Sequence, residues 1–101
     1  MATVIEPTIG RVVLFHPAED DAQLADQYRG QSFAAIICDV HDSCLLNLIV
    51  FAKNGYPHAR VNVPLLQGDG VADERVAYAH WMPYQLGQAA RTEAAERLMR
   101  S

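Results

Sequence analysis

Alternating apolar and polar side chains near the middle of the chain predict a β-hairpin. Residues 44–52 and residues 58–63 alternate in polarity, and Asn54-Gly55 lies between them. Asn-Gly is the preferred pair for a two-residue type I′ turn, which fixes the strand pairing and places Ile49 opposite Arg60. One face of the hairpin is then entirely apolar and consists of Leu46, Leu48, Val50, Ala59, Val61 and Val63. The turn chemistry and the hydrophobic pattern agree, which favours the hairpin.

The opposite face of this hairpin mixes apolar and polar side chains. A preceding strand at residues 33–40 extends the sheet. We predict a three-residue loop at residues 41–43, because a two-residue loop would place the carboxylate of Asp39 in the core. The second face then carries Phe33, Phe51 and His58, next Ala35, Ile49 and Arg60, and finally Ile37, Asn47 and Asn62. Such a face predicts an interface, unless the C-terminal helix or residues 17–32 cover it.

Two further strands complete the predicted sheet. Residues 10–16 form a short β-branched and aromatic run that Pro17 closes, and residues 76–82 form another that Pro83 closes. Five short strands joined by turns favour a small five-stranded SH3-like barrel, because closure removes exposed strand edges. A strongly bent antiparallel sheet with helices on one face is the alternative.

The remaining segments flank a β core at about residues 10–83 of one domain, residues 1–101. Residues 17–32 begin with a proline and soon carry three acidic residues, which predicts a short helix or a loop excursion there. From about residue 85 to residue 100 the chain is rich in alanine and has oppositely charged residues four positions apart. This pattern predicts a C-terminal helix.

Composition, cysteine content and the N-terminal sequence together predict one globular domain that is intracellular and reduced. The chain has 101 residues, of which 50% are hydrophobic and 20% are charged, as is typical of one globular domain. Its formal net charge of −4 argues against a protein that coats nucleic acid. Two cysteines are too few for a disulfide framework. We see no signal peptide and no apolar run long enough to span a membrane.

Metal binding and catalysis are not expected. Cys38, His41 and Cys44 are residue types that bind zinc, but a structural zinc site needs four ligands, and the second half of such a pattern is missing. Ser43 lacks the glycine-flanked turn of a catalytic serine, and neither cysteine lies at a recognisable helix N-terminus. We therefore predict a protein that is not an enzyme and has no cofactor.

Candidate binding residues lie on the predicted hairpin and after the fifth strand. They are His58, Arg60, Asn62, Asn47, Trp81 and Tyr84. The first four share the second face of the hairpin and suit contact with an anion, whereas the two aromatic residues suit stacking on a base. The alternatives are a solvated strand face and a structural role, in which Trp81 fills the barrel and Tyr84 caps it.

Several blocks of the sequence resemble a known family. The blocks GRVVLFHP, AAIICDVHDSCLLNLIVFAKNG, ARVNVPLLQ and WMPYQLGQA resemble, in this order, small proteins encoded by tailed phages and prophages of proteobacteria. The resemblance covers residues 10–16 and most of residues 33–90. It implies a phage origin and a location in the host cytoplasm, or in the virion for a structural protein. No activity follows from the family itself.

The residues and the resemblance together lead to one functional expectation and two alternatives. We expect a non-catalytic, homo-oligomeric binding protein that sequesters a small anionic, nucleotide-type immune signal and so counters host defence. The alternatives are a structural or assembly protein of the virion and a protein inhibitor of a host defence factor. Membrane association is not expected, and binding to nucleic acid is disfavoured by the net charge.

Overall fold

Five β-strands close into a small barrel. The computed structural model describes residues 4–68, 70–73 and 75–88. Its strands are β1 (Val12–His16), β2 (Phe33–Asp42), β3 (Leu45–Phe51), β4 (Pro57–Leu66) and β5 (Tyr78–His80). They pair in chain order, and β5 pairs back with β1. The predicted mainly β fold with a five-stranded barrel is confirmed, and the open sheet that was its alternative does not form.

One pair of neighbouring strands runs in the same direction. β4 and β5 are parallel, with Leu65 beside Ala79, whereas the other four pairs are antiparallel. A parallel pair needs a crossover connection of about a dozen residues, and residues 67–77 supply it. The sequence pattern does not predict this pair, because alternating polarity carries no information on strand direction.

Apolar side chains from all five strands fill the barrel. The buried residues are Val13, Phe15, Leu24, Phe33, Ala35, Ile37, Leu46, Leu48, Val50, Ala52, Val63, Leu65, Ala79 and Trp81. Leu24 comes from the segment between β1 and β2, and its side chain is completely buried. That segment therefore belongs to the core and closes one end of the barrel.

The two segments predicted to flank the strands differ in how much helix they contain. Residues 17–32 form a loop excursion with a single turn of 3₁₀ helix at Ala25–Gln27, which agrees with the loop alternative. A helix begins at residue 83 and is described up to residue 88. The predicted continuation of this helix to residue 100 lies outside the described residues. No helix among the described residues is long and apolar enough to cross a membrane.

The turn between β3 and β4 has three residues, and the predicted two-residue turn is wrong. Ala52 N–H donates to Tyr56 O over 2.9 Å, and Gly55 N–H donates to Ala52 O over 2.7 Å. Gly55 has a φ of 87°, whereas Asn54 does not have the positive φ that a type I′ turn requires. The geometry is that of a type I turn followed by a left-handed glycine. Near the turn, each β3 residue therefore pairs with a β4 residue one position earlier than predicted. Ile49, for example, lies opposite Ala59 instead of Arg60.

The loop between β2 and β3 also differs from the prediction. It has two residues, Ser43-Cys44, because Asp42 pairs with Leu45. Two β-bulges on β2 then shift the register by one residue each. The bulges leave Asp39 exposed, so the short loop does not bury its carboxylate.

A third bulge lies on β4 and restores part of the predicted register. Leu46 pairs with Val63, as predicted, but Leu48 pairs with Arg60, so that β4 has one residue more than β3 in this stretch. Asn62 lies in the bulge with a φ of 53°, a conformation that asparagine adopts more readily than most residues.

The shifted pairing changes which side chains share a face, and the predicted mixed face is wrong. Phe33, Ala35 and Ile37 are buried inside the barrel. Arg60 and His58 also point to the inward side, because each lies opposite a buried residue of β3. The outward side of β2, β3 and β4 carries the apolar residues Ala34, Ile36, Ile49, Phe51, Pro57, Ala59 and Val61 and, beside them, the polar pair Asp39 and Asn47.

Replacing Gly55 with alanine is expected to lower the free energy of unfolding by about 1 kcal/mol. A Cβ at this position would have no heavy atom within 4 Å, so the cost comes from the left-handed backbone alone. Urea denaturation checks it, with Gly55→Asn as the control, because asparagine tolerates this conformation and should cost less. Equal stabilities for all three proteins would contradict the left-handed turn.

Candidate functional site

Arg60 holds the excursion at residues 17–32 against the end of the barrel. Its Nε and Nη2 donate to the two carboxylate oxygens of Asp21 over 3.0 Å and 2.9 Å. Nη2 also donates to Gln23 Oε1 over 2.9 Å, and Nη1 donates to Ala59 O over 2.7 Å. The two charged side chains are only 20% and 9% exposed. An anionic ligand at Arg60 would therefore have to displace Asp21.

The carboxylate of Asp21 is also tied to its own loop. The backbone N–H groups of Gln23 and Leu24 each donate to Oδ1 over 3.1 Å, which is the hydrogen bonding of an Asx turn. Burial by itself would raise the pKa of Asp21, but the hydrogen bonds and the charge of Arg60, with these backbone N–H groups, lower it below 3.8. The folded protein thus favours the ionised form of this carboxyl group.

A cavity of about 420 Å³ lies between the excursion and the turn that joins β3 to β4. It is lined by Asp26, Gln27, Arg29, Gln31, Lys53 and Asn54. The excursion supplies the first four of these residues, and the turn supplies the last two. The ion pair described above fixes the excursion in place, so that it also fixes one wall of the cavity.

Lys53 is the most tightly positioned charge in this cavity. Its Nζ donates to the backbone carbonyls of Gln31 and Ser32, both over 3.1 Å. The ammonium group also lies over the ring of Phe33, 4.5 Å from the ring centroid, which is a cation–π contact. Its backbone N–H donates to Gln27 Oε1 over 3.2 Å. Lys53 therefore joins the turn to the excursion.

The cavity has a positive balance of charge within a protein of net charge −4. Two of its lining residues are cationic and one is anionic. Among the described residues, no carboxylate forms an ion pair with Lys53 or Arg29. An ammonium group has three N–H donors, and that of Lys53 uses two on carbonyl oxygens. The third donor has no hydrogen-bond acceptor among the described residues.

The six residues predicted to bind a ligand do not form one site. Asn47 and Asn62 are brought together, because Asn62 N–H donates to Asn47 Oδ1 over 3.0 Å. Arg60 lies in the ion pair with Asp21, and the nearby His58 is half-buried on the inward side of β4. Tyr84 is 65% exposed on the helix at residues 83–88. Ligand binding by these residues stays a prediction.

Trp81 lies in the core, as in the structural alternative for this residue. Its side chain is only 2% exposed, and its Nε1–H donates to Gln67 Oε1 over 3.0 Å. The guanidinium group of Arg11 covers the ring at 5.3 Å from its centroid. A base could stack on this ring only after the core had rearranged.

Gln67 was not identified from the sequence, yet it forms four hydrogen bonds at the end of the barrel away from the cavity. Its Oε1 accepts from Ile5 N–H over 3.1 Å and from the indole of Trp81. Its Nε2 donates to Ile5 O over 2.6 Å and to Ser43 O over 3.1 Å. A single glutamine in a loop has no sequence signal that predicts such a position.

The three residues considered for zinc have separate partners. Cys38 Sγ lies 3.6 Å from Ile36 O, whereas His41 Nε2 lies 2.9 Å from Asn47 Oδ1. Both Cys38 and Cys44 are exposed free thiols. Within the described ranges, no group of three or more His, Cys, Asp or Glu side chains is placed to hold a metal ion.

No family model, curated protein or solved structure matches this chain. The resemblance to phage-encoded proteins therefore stays a prediction.

Proposed function

We propose that the protein is a non-catalytic binding protein that holds a small phosphate-bearing ligand in the cavity between the excursion and the β3–β4 turn. The observation that carries this proposal is the position of Lys53. Its ammonium group is held by two neutral carbonyl oxygens, keeps a free donor and has no carboxylate partner among the described residues. Such a group is well suited to meet a phosphate.

The other lining residues suit the remainder of a nucleotide-type ligand. Arg29 adds a second positive charge, and the amides of Gln31 and Asn54 offer hydrogen-bond donors and acceptors. A volume of about 420 Å³ lies within the range of small-molecule sites, about 300 to 1,000 Å³. This proposal moves the anion site from Arg60 to Lys53. The phage origin and the immune-signal role rest on the sequence resemblance alone.

Titrating the ¹⁵N-labelled protein with inorganic phosphate, and separately with adenosine monophosphate, tests the proposal. We expect saturable amide shifts around Lys53, Asn54 and residues 26–31. Lys53→Gln should weaken phosphate binding at least about tenfold, because a hydrogen bond to a charged group is worth about 1.5 to 3 kcal/mol.

Arg75→Gln is the matched control for this titration. It also removes one positive charge, but Arg75 is exposed and pairs with Asp73 away from the cavity. Equal losses in Lys53→Gln and Arg75→Gln would show attraction by overall charge and would contradict the proposal. A protein that responds to neither probe would also contradict it, and the assembly and inhibitor alternatives would then be preferred.

A further inference from the structure

A second cavity lies within the excursion and shares one residue with the cavity at Lys53. It has a volume of about 380 Å³. Residues 16–19, where the chain leaves β1, form one part of its lining, and Ala25, Asp26 and Tyr28 form the other. Asp26 lines both cavities. The two cavities therefore meet at this side chain, and a ligand that extends from one into the other passes Asp26.

The two cavities differ in their balance of charge. Lys53 and Arg29 give the first cavity two positive charges, against the one negative charge of Asp26. The second cavity is lined by the carboxylates of Glu19 and Asp26, and no described lysine or arginine lines it. A phosphate group is therefore attracted to the first cavity and repelled by the second. A ligand that occupies both is held in one orientation, with its phosphate beside Lys53.

The lining of the second cavity suits a flat ring that carries hydrogen-bond donors. The half-buried ring of Tyr28 is held by an edge-to-face contact with His16, with 4.6 Å between the ring centroids. Pro17 and Ala25 add apolar surface, and aromatic and apolar side chains with a few polar groups are the usual lining of a small-molecule site. Ionised carboxylates accept hydrogen bonds and donate none. The part of the ligand near them must therefore carry hydroxyl or amino groups.

Asp26 combines a fixed position with a carboxylate that has no partner among the described residues. It is exposed on the 3₁₀ turn and forms no hydrogen bond or ion pair with any of them. The next residue, Gln27, accepts a hydrogen bond from the backbone N–H of Lys53 over 3.2 Å, which ties the turn to the first cavity. Carboxylates in such positions accept hydrogen bonds from ribose hydroxyl groups in dinucleotide-binding sites.

We propose that the ligand is a nucleoside 5′-monophosphate with a free ribose diol. Its phosphate meets Lys53, its 2′- and 3′-hydroxyl groups donate to the carboxylate of Asp26, and its base lies beside Tyr28 in the second cavity. This inference rests on the proposed function, because it takes the phosphate at Lys53 as its starting point. It adds the class of ligand and assigns to Asp26 the recognition of the ribose.

Titrating the ¹⁵N-labelled full chain with adenosine monophosphate, 2′,3′-dideoxyadenosine 5′-monophosphate and inorganic phosphate tests the inference. The wild type should bind adenosine monophosphate at least about tenfold more tightly than the dideoxy nucleotide, because the latter cannot donate to a carboxylate. Amide shifts at Ala18, Glu19 and Tyr28 should appear with adenosine monophosphate and not with inorganic phosphate. Asp26→Ala should abolish the preference for the ribose without weakening phosphate binding, because it removes a negative charge from the first cavity.

Asp20→Ala is the matched control. It removes the same charge from an exposed position of the same excursion, and Asp20 lines neither cavity, so the preference should remain. Phosphate binding by a wild type that does not distinguish the two nucleotides would overturn this inference and leave the proposed function in place. Binding of none of the three probes would overturn both. A preference that persists in Asp26→Ala, or that Asp20→Ala loses equally, would also overturn the inference.

Discussion

Replacing Arg60 with alanine is expected to lower the free energy of unfolding at neutral pH by about 2 to 3 kcal/mol. The side chain of Asp21 is almost completely buried, and the substitution removes the partner of its carboxylate. Breaking one side of a buried ion pair costs about 3 to 5 kcal/mol. The expected loss is smaller here because the side chain of Arg60 is 20% exposed. Urea denaturation measures it.

The same ion pair should make stability depend on pH. The pKa of Asp21 is lowered in the folded protein from an unfolded value of 3.8. The stability that comes from this shift is therefore fully present above about pH 4 and is lost as the pH falls through the lowered pKa. The difference between the wild type and Arg60→Ala should shrink over this acidic range. A difference that stays constant from neutral pH to below pH 3 would contradict a role for the ionised carboxylate.

Arg75→Ala is the control for both measurements. Arg75 also pairs with an aspartate, but its side chain is 76% exposed, and exposed ion pairs contribute about 0 to 1 kcal/mol.

Arg60→Ala should also weaken phosphate binding, although Arg60 does not line the cavity, because the excursion that forms one wall loses its anchor. Arg60 is thus a positioning residue. Lys53→Gln should weaken binding without a comparable loss of stability, which distinguishes the two roles.

The positions of the strands were predictable from local sequence, whereas their register was not. A run such as residues 44–52 has the composition of a strand and ends at turn residues, and β3 occupies Leu45–Phe51 within it. Asn54-Gly55 suits a type I′ turn, but its glycine suits the left-handed position of a three-residue turn equally well. This difference of one residue reverses the faces near the turn. Only the packing of the whole barrel decides between the two turns.

The candidate site shows the same limit on prediction. Arg60 was chosen because its guanidinium group suits an anion, and it does bind one, the carboxylate of Asp21, 39 positions away in the chain. No spacing rule connects these two residues, because the excursion that carries Asp21 has no regular pattern. Lys53 has no sequence signal of a binding residue. Its role depends on carbonyl groups of the excursion, which sequence patterns do not place.

Replacing Gln67 with alanine is expected to lower the free energy of unfolding by about 3 kcal/mol. The substitution removes four hydrogen bonds at once, and each buried group left unpaired costs about 1 to 3 kcal/mol. The expected loss is smaller than the sum for four buried groups, because Gln67 is only partly buried and water can replace some of its partners. Trp81 is the only tryptophan, so its emission reports on this end of the barrel. We expect the native emission of Gln67→Ala to shift to longer wavelength.

Two further variants separate the contributions of the two halves of the Gln67 amide. Gln67→Glu keeps an acceptor for Ile5 N–H and for the indole of Trp81, but it cannot donate to Ile5 O and Ser43 O when ionised. Trp81→Phe removes the indole donor and leaves the other three bonds of Gln67 in place. The expected order of stability loss at neutral pH is Gln67→Ala largest and Trp81→Phe smallest, at about 1 to 2 kcal/mol.

Because these groups lie at the end of the barrel away from Lys53, phosphate binding by the folded Gln67 variants should match the wild type. A Gln67→Ala protein with wild-type stability and unchanged emission would show that this glutamine does not hold the barrel end together.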